Sequence, residues 1–294
     1  MVLLLVFGLL LPAVAAAAER QATLSSDPVP LAAGVRIDRL IESTLGPLDL
    51  PPTVNTLALA RVTLLPEATA RAYDGAHQFV VEAGVLTVQD QAHMPPPPPG
   101  TPGVHQDVPV GPAVTHGAGE QFFVAYTGVY PPATITNQGE EEAVALVVSI
   151  SITGGAGLAG LLTGWDVVEP RAVADAAGVS LPMSEALGLD AEPFAVALDR
   201  VSYDRGATLD FIWVDSAGRL FAVESGALNV LAIDPAIYEA AGDGPKRLQA
   251  TTRVSPLPGD LLFVPAPGRI ATRNVERGPS TVLIVTVGAA VPAS

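Results

Sequence analysis

At 294 residues, 49% hydrophobic and only 15% charged, the chain is long enough for two cored domains and too apolar to be disordered. A net charge of -15 and a pI near 4.5 argue against nucleic acid, which needs clustered Lys and Arg, and against anionic membrane surfaces. The absence of cysteine removes disulfides and lipid-modified Cys, while Gly and Pro at 28 each point to many turns between short strands.

Met1 to Ala18 is an apolar stretch with a small-residue tail, which reads as a cleavable secretory signal peptide. No Lys or Arg precedes its apolar core, and Pro12 interrupts it. The alternative is an uncleaved anchor, at the short end for a bilayer span. A secreted, periplasmic or otherwise extracytoplasmic location follows from the first reading. Residues 19–54 form a polar, Pro-containing arm in which Val35 to Thr44 reads as an edge strand leading into the first domain.

From Asn55 the pattern changes to short β-rich runs. Leu57 to Leu65, Gln78 to Val81 and Val85 to Gln89 are predicted strands, with Gly84 turning the last two into a hairpin. Pro95 to Pro99 lack the amide hydrogen that a ladder needs, so that segment lies outside the sheet as a stiff loop. Gln121 to Ala125 and Val144 to Ser151 complete the set. Residues 153–193 read as a linker, glycine-rich at Gly154 to Gly157, with a short helix around Met183 to Leu187. Gly154 to Gly160 is not a nucleotide loop, because no Lys-Ser/Thr follows and no βαβ context surrounds it. Strand-like runs resume at Phe194, and Ile237 to Ala241 reads as a helical turn within an insertion.

The two strand-rich regions repeat each other. Arg61-Val62-Thr63 and Ala68-Thr69 recur as Arg200-Val201-Ser202 and Ala207-Thr208, and FVVEAGVLTV from Phe79 recurs as FAVESGALNV from Phe221. GEQFFV from Gly119 matches GDLLFV from Gly259. Asn137 and Asn274 each precede a closing apolar strand, VALVVSI or VLIVTV. A repeat this long, with its gaps confined to turns, predicts two domains of one all-β fold, over residues 55–152 and 194–294.

The E-x-G element, the G-[DE]-x-[LF]-F-V run and the Asn before a final strand together resemble the cupin superfamily in its two-domain, bicupin form. The resemblance implies two tandem jelly-roll barrels. It also implies a metal in each barrel mouth, held by imidazoles and a carboxylate with positions open for substrate or oxygen. Carried onto this chain, the ligand positions fall on Arg71, Tyr73, His77 and Ala133 in the first copy and on Trp213, Asp215, Arg219 and Ile270 in the second. Neither set makes a divalent-metal site, so no cofactor is expected; a divalent metal at His77 is the alternative.

Each candidate side chain has a structural reading beside its functional one. His77 is a general base beside Tyr73 and Asp74, or a space-filling histidine with one hydrogen bond. Arg71 and Arg219, at equivalent depths in the two mouths, receive a carboxylate or sugar acid, or close internal ion pairs, Arg219 with Asp215. Trp213 stacks on a sugar or belongs to the core. His93, His105 and His116 lie off the motif positions, in the proline-rich loop and its return. The expected function is an exported bicupin with degenerate metal sites that binds a small ligand or acts as a scaffold without metal catalysis. One alternative is a metal-dependent dioxygenase or decarboxylase with ligands around His77. Another is a metal-independent isomerase or epimerase using His77 or Tyr73. A small molecule and a second copy of the chain are the partners this reading allows, without nucleic acid and, once the signal is cleaved, without stable membrane insertion.

Overall fold

Dense Val, Ile and Thr in alternating apolar runs, broken by glycine, favour strands throughout this chain. The computed structural model describes residues 29–45, 56–72, 75–91, 110–124, 133–151, 165–167, 172–175, 194–214, 218–240 and 245–289, and every regular element among them is a strand. In chain order these are β1 (Val29–Ala32), β2 (Val35–Leu45), β3 (Thr56–Leu64), β4 (Thr69–Ala72), β5 (Gly75–Ala83), β6 (Val85–Gln91), β7 (Val110–Gly117) and β8 (Gln121–Val124). Next come β9 (Ala133–Thr136), β10 (Ala143–Ser151), β11 (Trp165–Val167), β12 (Ala172–Asp175), β13 (Phe194–Tyr203), β14 (Thr208–Val214) and β15 (Gly218–Ser225). The chain closes with β16 (Leu228–Ala232), β17 (Ala236–Glu239), β18 (Lys246–Leu248), β19 (Thr252–Val254), β20 (Leu261–Pro265), β21 (Gly268–Asn274) and β22 (Ser280–Ala289).

Their hydrogen bonds make four antiparallel sheets that pair into two barrels. The first lays β12-β3-β10-β5-β8 over β11-β4-β9-β6-β7, and the second lays β1-β2-β13-β22-β15-β20-β17-β18 over β14-β21-β16-β19. The repeated strands alone read β3-β10-β5-β8 over β4-β9-β6-β7, and β13-β22-β15-β20 over β14-β21-β16-β19. Strand order is the same in both, and the chain changes sheet at nearly every turn. That is the eight-stranded jelly roll.

Gly84 does not close a hairpin, contrary to the sequence expectation. β5 pairs with β10 and β8, whereas β6 pairs with β7 and β9 in the opposite sheet. A single residue is too short for a hairpin turn, and Gly84 instead makes the corner where the strand switches sheets. Its φ of 73° and a would-be Cβ only 2.6 Å from the Glu142 carbonyl oxygen require glycine there. Gly226 does the same in the second copy, with φ 73° and a Cβ that would stand 2.5 Å from Ser280 Oγ.

The closing asparagines are clamps. Asn137 Nδ2 donates to the carbonyls of Leu64 and Glu141, and its Oδ1 accepts from Gly139 N. Asn274 repeats this with Tyr203, Gly278 and Glu276, each residue being the counterpart of one in the first set. Both side chains are fully buried, so these bonds satisfy backbone groups that water cannot reach.

Alternation along the strands sends side chains to two faces. In the first barrel Phe79, Val81, Ala145 and Val147 fill the lumen, and in the second Phe221, Val223, Val282 and Ile284 do so. The opposite faces of β5, β10, β15 and β22, with Val80, Leu146, Leu220 and Val285 among others, merge into a third apolar core between the barrels. Two strand groups bind the barrels further. β2 runs beside β13 over ten residue pairs, from Phe194↔Leu45 to Tyr203↔Val35, with Ile41 and Leu45 in the core between barrels. The segment expected to be an edge strand of the first domain is thus an inner strand of the second, with β1 outside it. β11 and β12, within the segment expected to be linker, pair with β4 and β3 of the first barrel. Ile237 lies in strand β17 rather than a helical turn, because β17 has the edge of β20 to pair with. The Met183 to Leu187 helix, the Pro95 to Pro99 loop and the Met1 to Ala18 leader lie outside the described residues.

Candidate functional site

The repeat places a polar row at the same level in each lumen. In the first barrel, register runs Ala58↔Ser149↔His77 across β3, β10 and β5. In the second it runs Ala197↔Thr286↔Arg219 across β13, β22 and β15. Each row therefore offers a small residue, a hydroxyl and a basic group. The next row is mainly apolar in the first barrel, Ala60↔Val147↔Phe79, and carries one acid in the second, Asp199↔Ile284↔Phe221.

His77 is 1% exposed, and its Nδ1 lies 2.8 Å from Ser149 Oγ. Phe79 stacks on Phe122 with ring centroids 4.3 Å apart, and Phe122 in turn stacks on His116 at 4.7 Å. His116 sits on strand β7 and not in a loop; burial pushes its pKa down, with the Glu120 charge opposing. In the second barrel Asp199 is buried and accepts a hydrogen bond from Arg39 Nε. Burial pushes the Asp199 carboxyl up, while the charges of Arg39 and Arg219 pull it down.

Of the six candidates from sequence, His77 and Arg219 hold equivalent lumen positions. Arg71 is not equivalent to Arg219, since it lies on β4 opposite Thr134 in the other sheet. Trp213 lies on β14 opposite Arg269. The side chains of Arg71 and Trp213, and the whole of Tyr73 and Asp215, fall outside the described residues, as do His93 and His105. Ser149, Thr286, Asp199 and Arg39 were missed. The hydroxyl pair was visible in sequence, as the Ser of VALVVSI and the Thr of VLIVTV, whereas the β13–β2 meeting of Asp199 with Arg39 had no local signal.

The described ligand positions do not fit a divalent ion. His77 supplies one imidazole, already on Ser149, Arg219 supplies a cation, and Ala133 and Ile270 are fully buried in the apolar lumens. Among the described residues no three His, Cys, Asp or Glu side chains gather where they could hold a metal.

No protein-family model matches the chain, and no curated protein matches it in sequence. Solved structures with a similar strand arrangement include oxalate decarboxylase from Bacillus subtilis at pH 4.6, with 14% identity and a TM-score of 0.42 over 86% of this chain and 71% of that one. AerE from Microcystis aeruginosa is similar at 8% identity and a TM-score of 0.40, over 89% of this chain and 96% of that one. Likeness at this level says nothing of metal, substrate or activity.

Proposed function

We propose that the chain is an exported protein of bicupin type with degenerate metal positions, and that it works by holding a small ligand, or as a scaffold, without metal catalysis. The observation that carries this reading is the chemistry of the two lumens. Where the cupin resemblance calls for imidazoles and a carboxylate, the described positions carry one histidine, one arginine and two apolar side chains. Metal sites need several pre-oriented donors on rigid strands, and the one imidazole among the described positions does not supply them. The polar row left in each barrel suits recognition of a small molecule by hydrogen bonds and charge.

Elemental analysis of protein purified without added chelator tests the proposal. Metal far below one equivalent per chain is expected for Mn, Fe, Ni and Zn. A stoichiometric metal that is lost in His77→Ala would establish the metal-dependent reading instead.

A further inference from the structure

The edge of a sheet presents unpaired backbone donors and acceptors, and proteins guard such edges with prolines and charges. Among the described residues eight strands lie at sheet edges. Seven of them carry a proline or a charged residue, as Pro112 stands in β7, Lys246 in β18, Asp210 in β14 and Arg253 in β19. β8, Gln121-Phe122-Phe123-Val124, carries neither, and among the described residues it pairs on one side only, with β5. We propose that β8 is an association edge and that its occupant is β8 of a second copy of this chain, paired antiparallel about a two-fold axis at Phe123.

The second copy shows what this edge accepts. β20 is the counterpart of β8, and its outer edge is filled by β17, with Ile237 opposite Phe263. Phe263 is 2% exposed and belongs to the core between the barrels, whereas its counterpart Phe123 is 36% exposed. β17 and β18 come from the chain between β16 and β19. The corresponding stretch of the first copy, residues 92–109, includes Pro95 to Pro99, which lack the amide hydrogens a ladder needs. Phe123 also continues an interface already built. It stands opposite Gln78, on the face of β5 that carries Val80 of the core between the barrels, and Gln78 Nε2 donates to Ser43 Oγ of β2 there. A second Phe123 across the axis covers the exposed ring with an aromatic cross-strand pair. Charge favours the same contact: two copies at net charge -15 repel, and four uncharged residues set no like charges directly opposite. Identical edges close on each other as a two-fold dimer, so pairing ends there. A four-residue ladder with one ring per partner falls short of the roughly 1,200 Å² of a stable complex, which makes the dimer reversible and concentration-dependent.

Sedimentation velocity of the full chain over a concentration series, up to on the order of 1 mM, tests the proposal. A reversible shift from one chain mass towards two is expected. Phe123→Lys gives β8 the guard that other edges have and is expected to abolish the shift. Phe123→Tyr is expected to retain it, as is Leu257→Lys, which changes an apolar residue 56% exposed and away from this edge. The chain has no cysteine, so Phe123→Cys places a single thiol. Directly opposed residues of antiparallel strands have Cα atoms about 4.5–5.5 Å apart, within disulfide reach. Mild oxidation is therefore expected to link Phe123→Cys chains in pairs and to leave Leu257→Cys chains largely single. A monomer at every concentration, the outcome if residues 92–109 or another protein fills the edge, overturns the proposal. So does a dimer that persists in folded Phe123→Lys protein, or linking no faster in Phe123→Cys than in Leu257→Cys.

Discussion

Glu82 is the most informative residue to neutralise. Arg61 Nε donates to Glu82 Oε2 at 2.7 Å, and Arg200 Nε donates to Glu224 Oε2 at 2.9 Å. Each arginine then crosses to the other copy's carboxylate, Arg61 Nη2 to Glu224 Oε1 and Arg200 Nη2 to Glu82 Oε1. These are the Arg of R-V-[TS] and the Glu of E-x-G, so one repeat's pair has docked on the other's to make a ring of four charges between the barrels. Burial pushes the Glu82 carboxyl up, but hydrogen bonds from Arg61 and Arg200 outweigh it and hold the group below the usual range. Hydrogen bonding to Glu82 likewise pushes the Arg61 pKa up.

Glu82→Gln keeps the shape and leaves two guanidiniums around one carboxylate. The side chains are 20% exposed for Glu82, 38% for Arg61 and 27% for Arg200, which places the ring between a surface pair and a buried one. Surface pairs contribute roughly 0.2–1 kcal/mol, and breaking a buried pair costs roughly 3–5, so a loss of about 2 kcal/mol is expected. Urea denaturation of the full chain at neutral pH measures it. The pH dependence has a definite sign. A carboxyl whose folded pKa lies below its ordinary 4.5 adds stability above that value and loses it as pH falls through the folded pKa. The gap between wild type and variant is therefore full at neutral pH and closes in acid. A loss below about 0.5 kcal/mol, or a gap that stays constant into acid, refutes the ring as a stabilising element. Adding Glu224→Gln should cost more than the sum of the single changes, because both arginines then lose every partner in the ring.

Two further outcomes check the corners and clamps. Asn274→Ala strands the carbonyls of Tyr203 and Gly278 and the Glu276 amide, all bonded at 2.8–3.0 Å, and should cost about 2–4 kcal/mol by urea denaturation. A loss within about 0.5 kcal/mol would show that water or backbone relaxation replaces the clamp. Gly84→Ala should lower the melting temperature much more than Gly119→Ala. Both have positive φ, but the first Cβ meets the Glu142 carbonyl at 2.6 Å and the second meets nothing within 4 Å. Equal losses at the two positions would mean that backbone conformation alone, without the close approach, demands glycine at the corner.

The retained features of the repeat now have individual causes. Arg61, Glu82, Arg200 and Glu224 join the barrels; Gly84 and Gly226 turn the corners; Asn137 and Asn274 clamp the last loops. The acid after each turn glycine caps its own turn: Glu120 accepts from Gly117 N at 2.7 Å and Asp260 from Leu257 N at 2.9 Å. Each of these residues makes contacts that hold the fold. The positions that do face the lumen at the polar row differ between copies in charge and in access.

By itself, the sequence determined what depends on local pattern. Strand-forming runs, the duplication, the turn glycines and the all-β class followed from periodicity, composition and a repeat read along the chain, and the jelly roll from the resemblance to cupins. The same resemblance brought out His77 and Arg219, because its first motif sets a ligand position seven residues before Gly84 and Gly226. Only the tertiary structure decided which strands pair. Gly84 as a corner rather than a hairpin, β2 beside β13, β12 beside β3, and the Asp199–Arg39 contact all join residues far apart in the chain. Such partners are chosen by which apolar faces and open edges meet on folding, and no short window of sequence contains both sides of that choice.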